Sequence, residues 1–136
     1  MKYLLLVFFA FGSLLTTQGQ SKVIYEEFSS YKLGETRRLK IQLPRDYESN
    51  TNKSYPIVIV FDANYLFEPV AGNVDYTAYW DDMPEAIVVG VNQIETRADD
   101  LYVSDNTFFP VKSGAQFFEF IGDELITFLE DNYRVN

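Results

Sequence analysis

Residues 55–64, YPIVIVFDAN, are the clearest indication of how this chain folds. Five consecutive large apolar residues, Ile57 to Phe61, follow a proline and precede polar side chains, which predicts a strand buried on both faces. Strands of this kind belong to parallel or mixed sheets that are covered by helices. Because ligand and catalytic sites in such sheets lie just beyond the carboxyl ends of the strands, we expect the functional site at residues 62–64.

The flanking segments complete the pattern of a mixed sheet. Residues 22–33 and 36–43 alternate loosely between apolar and polar side chains around a turn at 34–35, so we predict an antiparallel hairpin at one edge. Residues 86–91, AIVVGV, predict a second buried strand. Two buried strands separated by a crossover are typical of an α/β fold.

A helix is predicted near the end of the sequence, with Ser113 as N-cap and Gln116 completing a capping box. It is well placed to lead into another parallel strand. By contrast, residues 65–83 are interpreted as aromatic and irregular, with a short helix near 75–80. The predicted apolar stripe of the last helix consists of Phe117, Phe118, Ile121, Leu125, Phe128 and Leu129.

The composition describes one folded, acidic domain. Of 136 residues, 47% are hydrophobic and 17% aromatic, which argues against disorder. Eleven basic against 20 acidic side chains give a net charge of −9. Nucleic acid and anionic membrane surfaces bind clustered Lys and Arg, so neither is an expected partner. The one basic cluster, residues 37–40, is interpreted as a solvated strand face.

Residues 1–19 have the pattern of an export signal. Lys2 supplies a positive charge, residues 3–11 are apolar, and residues 17–19 resemble a small-residue cleavage site. We predict cleavage before Gln20, which leaves residues 20–136 as a periplasmic or secreted domain. Since the apolar run is shorter than the roughly 20 residues of a membrane span, no membrane association is expected after cleavage.

Candidate chemistry lies beyond the two buried strands. Residues 62–65 are either a set of backbone N–H donors for a developing negative charge or an ordinary strand terminus. Residues 95–101, ETRADDL, are either a substrate clamp or, as the more favoured interpretation, an ion-paired loop lock. The acidic side chains of Asp81, Asp82 and Glu85 lack the spacing of a calcium loop and are interpreted as solvated.

The chain lacks the side chains that nucleophilic catalysis by a Ser or Cys requires. A Ser nucleophile needs a nearby base, usually His, and the sequence has no His, no Cys and no G-x-S-x-G. Without His or Cys a zinc site is not expected either. A carboxylate pair of the glycosidase type remains possible, although nothing in the order of elements favours it.

Three segments resemble the esterase D-like α/β hydrolases, a family of serine esterases. Residues 54–67, SYPIVIVFDANYLF, resemble the third-strand segment of the family, which reads Y-P-V-L-Y-L-L-D-G-x. Residues 88–91 with Arg97 and Asp100 resemble its V-G-I…R…D-L stretch, and residues 113–134 resemble the helix before the nucleophile strand. Together these matches extend over residues 23–136.

The resemblance implies the N-terminal half of an α/β-hydrolase domain that ends before the nucleophile elbow, the acid and the His. It further implies an exported hydrolase of small-molecule esters, without metal or organic cofactor, that is inactive as this portion alone. The backbone N–H groups of Asn64 and Tyr65 would contribute to the oxyanion hole. Asp62, Arg97 and Asp100 would shape the loop at the active site. One departure from the family pattern is Ala63, where Gly is usual.

Two alternatives stand beside this interpretation. In the first alternative, the chain is a complete, non-catalytic secreted binding module. Its binding surface would be an aromatic and acidic loop over residues 65–80 that includes Phe67, Tyr76 and Trp80. Otherwise it is the product of a decayed gene with no stable fold.

Overall fold

The computed structural model of the chain describes residues 21–136, so the predicted export signal at residues 1–19 lies outside the described part. The described residues form four strands: β1 (Lys22–Ser30), β2 (Glu35–Leu43), β3 (Ile57–Val60) and β4 (Ile87–Val91). They make one mixed sheet of order β1-β2-β4-β3. β2 pairs antiparallel with both β1 and β4, whereas β3 and β4 are parallel.

The hairpin predicted at one edge of the sheet is confirmed. Its turn contains Gly34 at φ 69°, a conformation that glycine adopts without steric cost. The carboxylate of Glu124 accepts hydrogen bonds from the backbone N–H groups of Tyr31 (2.9 Å) and Lys32 (3.1 Å), which ties the turn to the last helix.

The predicted strand buried on both faces is correct for β4 and wrong for β3. All five residues of β4 are buried, whereas Ile57, Val58 and Ile59 are only half-buried. The difference arises because β4 lies between β2 and β3, while β3 occupies the edge of the sheet among residues 21–136.

Most of the segment between β3 and β4 is one helix, so the predicted irregular region is wrong over residues 65–74 and the predicted binding loop over 65–80 is wrong as well. The predicted short helix near 75–80 is the last part of this longer helix, and residues 80–83 lie outside any helix. Helix α1 (Ala63–Tyr79) includes Pro69 in its interior. It is held by its contact with the sheet: Phe67 and Ala71 lie four residues apart and pack with Val88 of β4. Local helix-breaking residues are therefore overridden by tertiary packing.

The last helix is confirmed, but its cap and its apolar stripe differ from the prediction. After the short α2 (Arg97–Asp100), the helix comprises α3 (Ser113–Glu119), a π-helical segment (Phe120–Leu125) and α4 (Ile126–Asn132). Lys112, not Ser113, is the N-cap, and it makes no side-chain capping bond.

The π-helical segment explains the changed stripe. It separates the buried Phe120 and the buried Leu125 by five positions, and this longer step rotates the face that packs on the sheet. Phe118, predicted in the core, is consequently 71% exposed.

Two cores lie on opposite faces of the sheet. The last helix packs on Leu39, Ile41 and Val89, and α1 packs on Val60 and Val88. Within residues 21–136, no helix is both long and apolar enough to cross a membrane.

Candidate functional site

The chain passes from β3 into α1 at a single left-handed residue. Asp62 has φ 52° and ψ 37°, a conformation that Asp tolerates better than most residues with a side chain. The positive φ falls on Asp62 and not on Ala63, the position that carries Gly in the resemblance. Ala63 is instead fully buried as the first residue of α1.

A close contact with β4 fixes the beginning of α1. A Cβ placed on Gly90 would lie 2.6 Å from Cδ2 of Phe67 and 2.7 Å from Cβ of Ala63. Only a residue without a side chain lets the helix approach the strand this closely. The helix start is thereby set against the carboxyl end of β4.

The two predicted backbone donors, Asn64 and Tyr65, lie in the first turn of α1 and not in a loop. N–H groups of a first helical turn have no partner within the helix, and they lie at its positive end. The N–H of Tyr65 donates to the carbonyl of Asp62 at 3.1 Å. Asn64 is exposed, and its N–H meets no hydrogen-bond acceptor among the described residues. Asn64 is therefore the better placed of the two to receive an anion.

Gln93 holds the turn from inside. Its side chain is 2% exposed, and its Oε1 accepts the backbone N–H of Asp62 at 2.9 Å. Its Nε2 donates to Oδ2 of Asp100, also at 2.9 Å. One buried amide thus connects the end of β3 with α2.

Asp100 is the centre of a buried polar network. Arg37 of β2 donates from Nη1 to Oδ2 at 2.9 Å and from Nη2 to Oδ1 at 2.6 Å. The hydroxyl of Thr96 donates to Oδ2 at 3.0 Å. The side chains of Arg37 and Asp100 are only 5% and 3% exposed. The predicted solvated face at residues 37–40 is therefore wrong for Arg37, because a buried carboxylate faces it.

Arg97 holds Asp62 from outside. Its Nε donates to Oδ2 of Asp62 at 2.8 Å, and its side chain is 62% exposed. This hydrogen bond raises the pKa of the Arg97 guanidinium above its ordinary value. The predicted ion-paired loop lock at residues 95–101 is thus confirmed. Its partners, Asp62 and Arg37, lie outside the segment itself.

The structure brings every candidate site residue to one end of the sheet: Asp62, Asn64, Tyr65, Arg97 and Asp100. Sequence reasoning missed Gln93 and Arg37, which connect them. The available signal for Gln93 was a polar side chain two residues beyond a fully apolar strand. The functional roles of the five residues remain predictions.

A cleft lies beside the site. It has a volume of about 290 Å³, opens beside the start of α1 and is lined by Ala63, Asn92, Tyr25 of β1, and Arg38 and Lys40 of β2. Among the described residues, no group of three or more His, Cys, Asp and Glu is arranged to hold a metal ion.

Comparison with known proteins identifies the fold and the family. Residues 30–136 match the family model described as "Putative esterase". The chain is also similar to a solved structure of an uncharacterised protein from Capnocytophaga ochracea, with 34% identity and a TM-score of 0.75 over 84% of this chain and 31% of that one. The comparison with curated proteins gives no match.

Two more distant structures show the same fold. An IroE-like serine hydrolase from Shewanella oneidensis is 22% identical, with a TM-score of 0.65 over 85% of this chain and 40% of that one. The enterobactin esterase FES from Shigella flexneri is 18% identical, with a TM-score of 0.68 over 87% and 28%. The chain thus spans less than half the length of each protein. The predicted α/β-hydrolase sheet, with its edge hairpin and parallel strands, is confirmed.

Proposed function

The chain belongs to this esterase family, and on that premise we propose that it forms the N-terminal part of an exported serine carboxylic-ester hydrolase. Its substrate would be a small-molecule ester, cleaved through an acyl-serine intermediate without metal or organic cofactor. Residues 1–19 would direct export to the periplasm or the medium, as the charged and apolar pattern of that segment suggests.

The observation that carries the proposal is the N–H of Asn64. An oxyanion hole needs donors that are fixed before the reaction begins, because reorientation during catalysis would offset their benefit. Asn64 follows a buried strand end and lies in the first turn of a helix packed on Gly90. Its N–H meets no acceptor among residues 21–136 and is therefore open to a ligand.

The remaining catalytic parts would come from sequence beyond residue 136. Acyl transfer at a Ser requires a general base and a group that orients the base. This chain has no His, so its 136 residues supply the oxyanion donor and the walls of the site but not the proton transfer. On this proposal the chain is inactive when produced alone.

The test is the intact mass of the protein from its native source, before and after treatment with a fluorophosphonate that labels activated serines. We expect a mass well above 15.8 kDa and one adduct. A mass equal to that of residues 20–136 without an adduct would refute the esterase. Cooperative unfolding of that short product would favour a binding module, for which the exposed rings of Tyr76 on α1 and of Trp80 just after it offer a surface.

A further inference from the structure

We propose that Gln93 is a positioning residue of the esterase reaction. Its side-chain amide holds the Asp62 peptide and, through it, keeps the N–H of Asn64 in the orientation that an oxyanion requires. The inference rests on the proposed function, since the orientation of this N–H affects a rate only if the N–H receives the developing charge. Gln93 acts through Asp62 and is buried beneath the turn.

The orientation of the amide follows from its partners. A carboxylate paired with arginine only accepts hydrogen bonds, so Asp100 faces the Nε2 end of Gln93. The Oε1 end must then face the other way, and there it meets the N–H of Asp62. Arg37 fixes both oxygens of Asp100. A continuous chain of buried hydrogen bonds thus runs from β2 to the peptide that begins the turn.

The buried support should matter more than the exposed one. Asp62 occupies a left-handed conformation that is unfavourable for residues with a side chain, so the turn has to be held in place. Arg97 holds its carboxylate, but that side chain is 62% exposed, and exposed ion pairs contribute little. Gln93 is shielded from water, so no solvent competes for the hydrogen bonds of its amide. Loss of Gln93 should therefore disturb the turn more than loss of Arg97.

Amide hydrogen exchange in the unmodified full-length protein tests the hydrogen bond from Asp62 to Gln93 directly and needs no substitution. The N–H of Asp62 should exchange slowly because Gln93 accepts it, whereas the N–H of Asn64 should exchange fast. Equal, fast exchange at both residues would overturn the proposal. This measurement tests the hydrogen bond between Gln93 and Asp62 even if variants of Gln93 fail to fold.

Kinetics of p-nitrophenyl acetate hydrolysis by the full-length protein test the consequence for the rate. Gln93→Met should lower kcat at least about tenfold and leave KM within about twofold, since outright loss of an oxyanion donor lowers kcat by about 10²–10³. Arg97→Met should lower kcat less. The matched control is Gln42→Met, which removes the amide of a half-buried glutamine that donates to the carbonyl of Ala71 at 2.9 Å. That control should leave both constants within about twofold.

The outcomes separate this proposal from the one on which it rests. No ester hydrolysis by the unmodified protein overturns both. Hydrolysis that is unaffected by Gln93→Met, or reduced only as much as by Gln42→Met, overturns the role of Gln93 alone. A loss confined to KM would also overturn it, because positioning of an oxyanion donor acts on the transition state.

Discussion

Arg37→Met is expected to destabilise the protein by about 3–5 kcal/mol, which is the usual cost of removing one partner of a buried ion pair. The side chains of Arg37 and Asp100 are 5% and 3% exposed. Their two parallel hydrogen bonds, of 2.9 and 2.6 Å, would both be lost. The carboxylate of Asp100 would stay buried with Gln93 and Thr96 as its remaining donors. The uncompensated buried charge of Asp100 is therefore the main cause of the expected loss of stability.

Urea unfolding of the full-length protein, followed by circular dichroism, measures this change. With a denaturant dependence of about 2 kcal/mol per molar, the midpoint should fall by roughly 2 M. Arg38→Met is the matched control on the same strand, because the Arg38 side chain is 79% exposed and its Nε lies 3.9 Å from Oε1 of Glu27. Its effect should stay below about 0.5 kcal/mol.

A double variant separates the lost attraction from the stranded charge. Arg37→Met with Asp100→Leu removes both charges, and well-packed apolar replacements of buried pairs are often neutral. We expect the double variant to recover most of the stability lost by Arg37→Met. A cost of less than about 1 kcal/mol for Arg37→Met, or a double variant no more stable than the single one, would contradict a stranded charge at Asp100.

Three further substitutions test the packing of α1 and the alkaline stability. Gly90→Ala should lower the free energy of unfolding by about 1–3 kcal/mol, because its Cβ would lie 2.6 Å from Cδ2 of Phe67. Gly72→Ala, in the interior of α1 where the added Cβ would meet no neighbouring group within 4 Å, should raise it by about 0.5–1 kcal/mol. Thermal unfolding compares the two, and shifts of the same sign would contradict this account of the contact. Burial and the hydrogen bond to Asp46 raise the pKa of Tyr55 from 10.0 to about 12. Because the folded-state pKa is the higher one, the contribution is present below pH 10.0 and is lost as the pH rises through about 12. Tyr55→Phe should therefore reduce the fall in unfolding free energy over that range, and an unchanged pH dependence would argue against it.

The sheet was predictable because its signal is local. The run IVVGV at 87–91 reflects burial directly, and the run IVIV at 57–60 marks a strand even though three of its residues are only half-buried. Alternation revealed the hairpin. Helix α1 was not predictable in the same way. Pro69 and Gly72 oppose a helix locally, while the contacts that stabilise it are made with β4. The phase of the last helix depended on a π-helical turn, which the apolar spacing does not reveal.

The candidate site likewise contains residues that local sequence predicts and residues that it does not. Asp62 and Asn64 closely follow the end of β3, so the general rule for α/β sheets located them. Arg97 lies farther along the chain, in the charged segment 95–101 after β4. The residues that hold them in place are distant in sequence: Arg37 and Asp100 are 63 positions apart, and Asp62 and Gln93 are 31 apart. No short pattern predicts such pairs. A strand position beside a second arginine even suggested solvent exposure for Arg37.

The most direct test of the account is a crystal structure of the full-length protein after reaction with a fluorophosphonate. The phosphonyl oxygen of such an adduct occupies the place of the oxyanion. We expect that oxygen about 2.7–3.1 Å from the backbone nitrogen of Asn64, with the amide of Gln93 still bound to the N–H of Asp62. An adduct oxygen bound only by donors outside residues 62–65 would contradict the central claim.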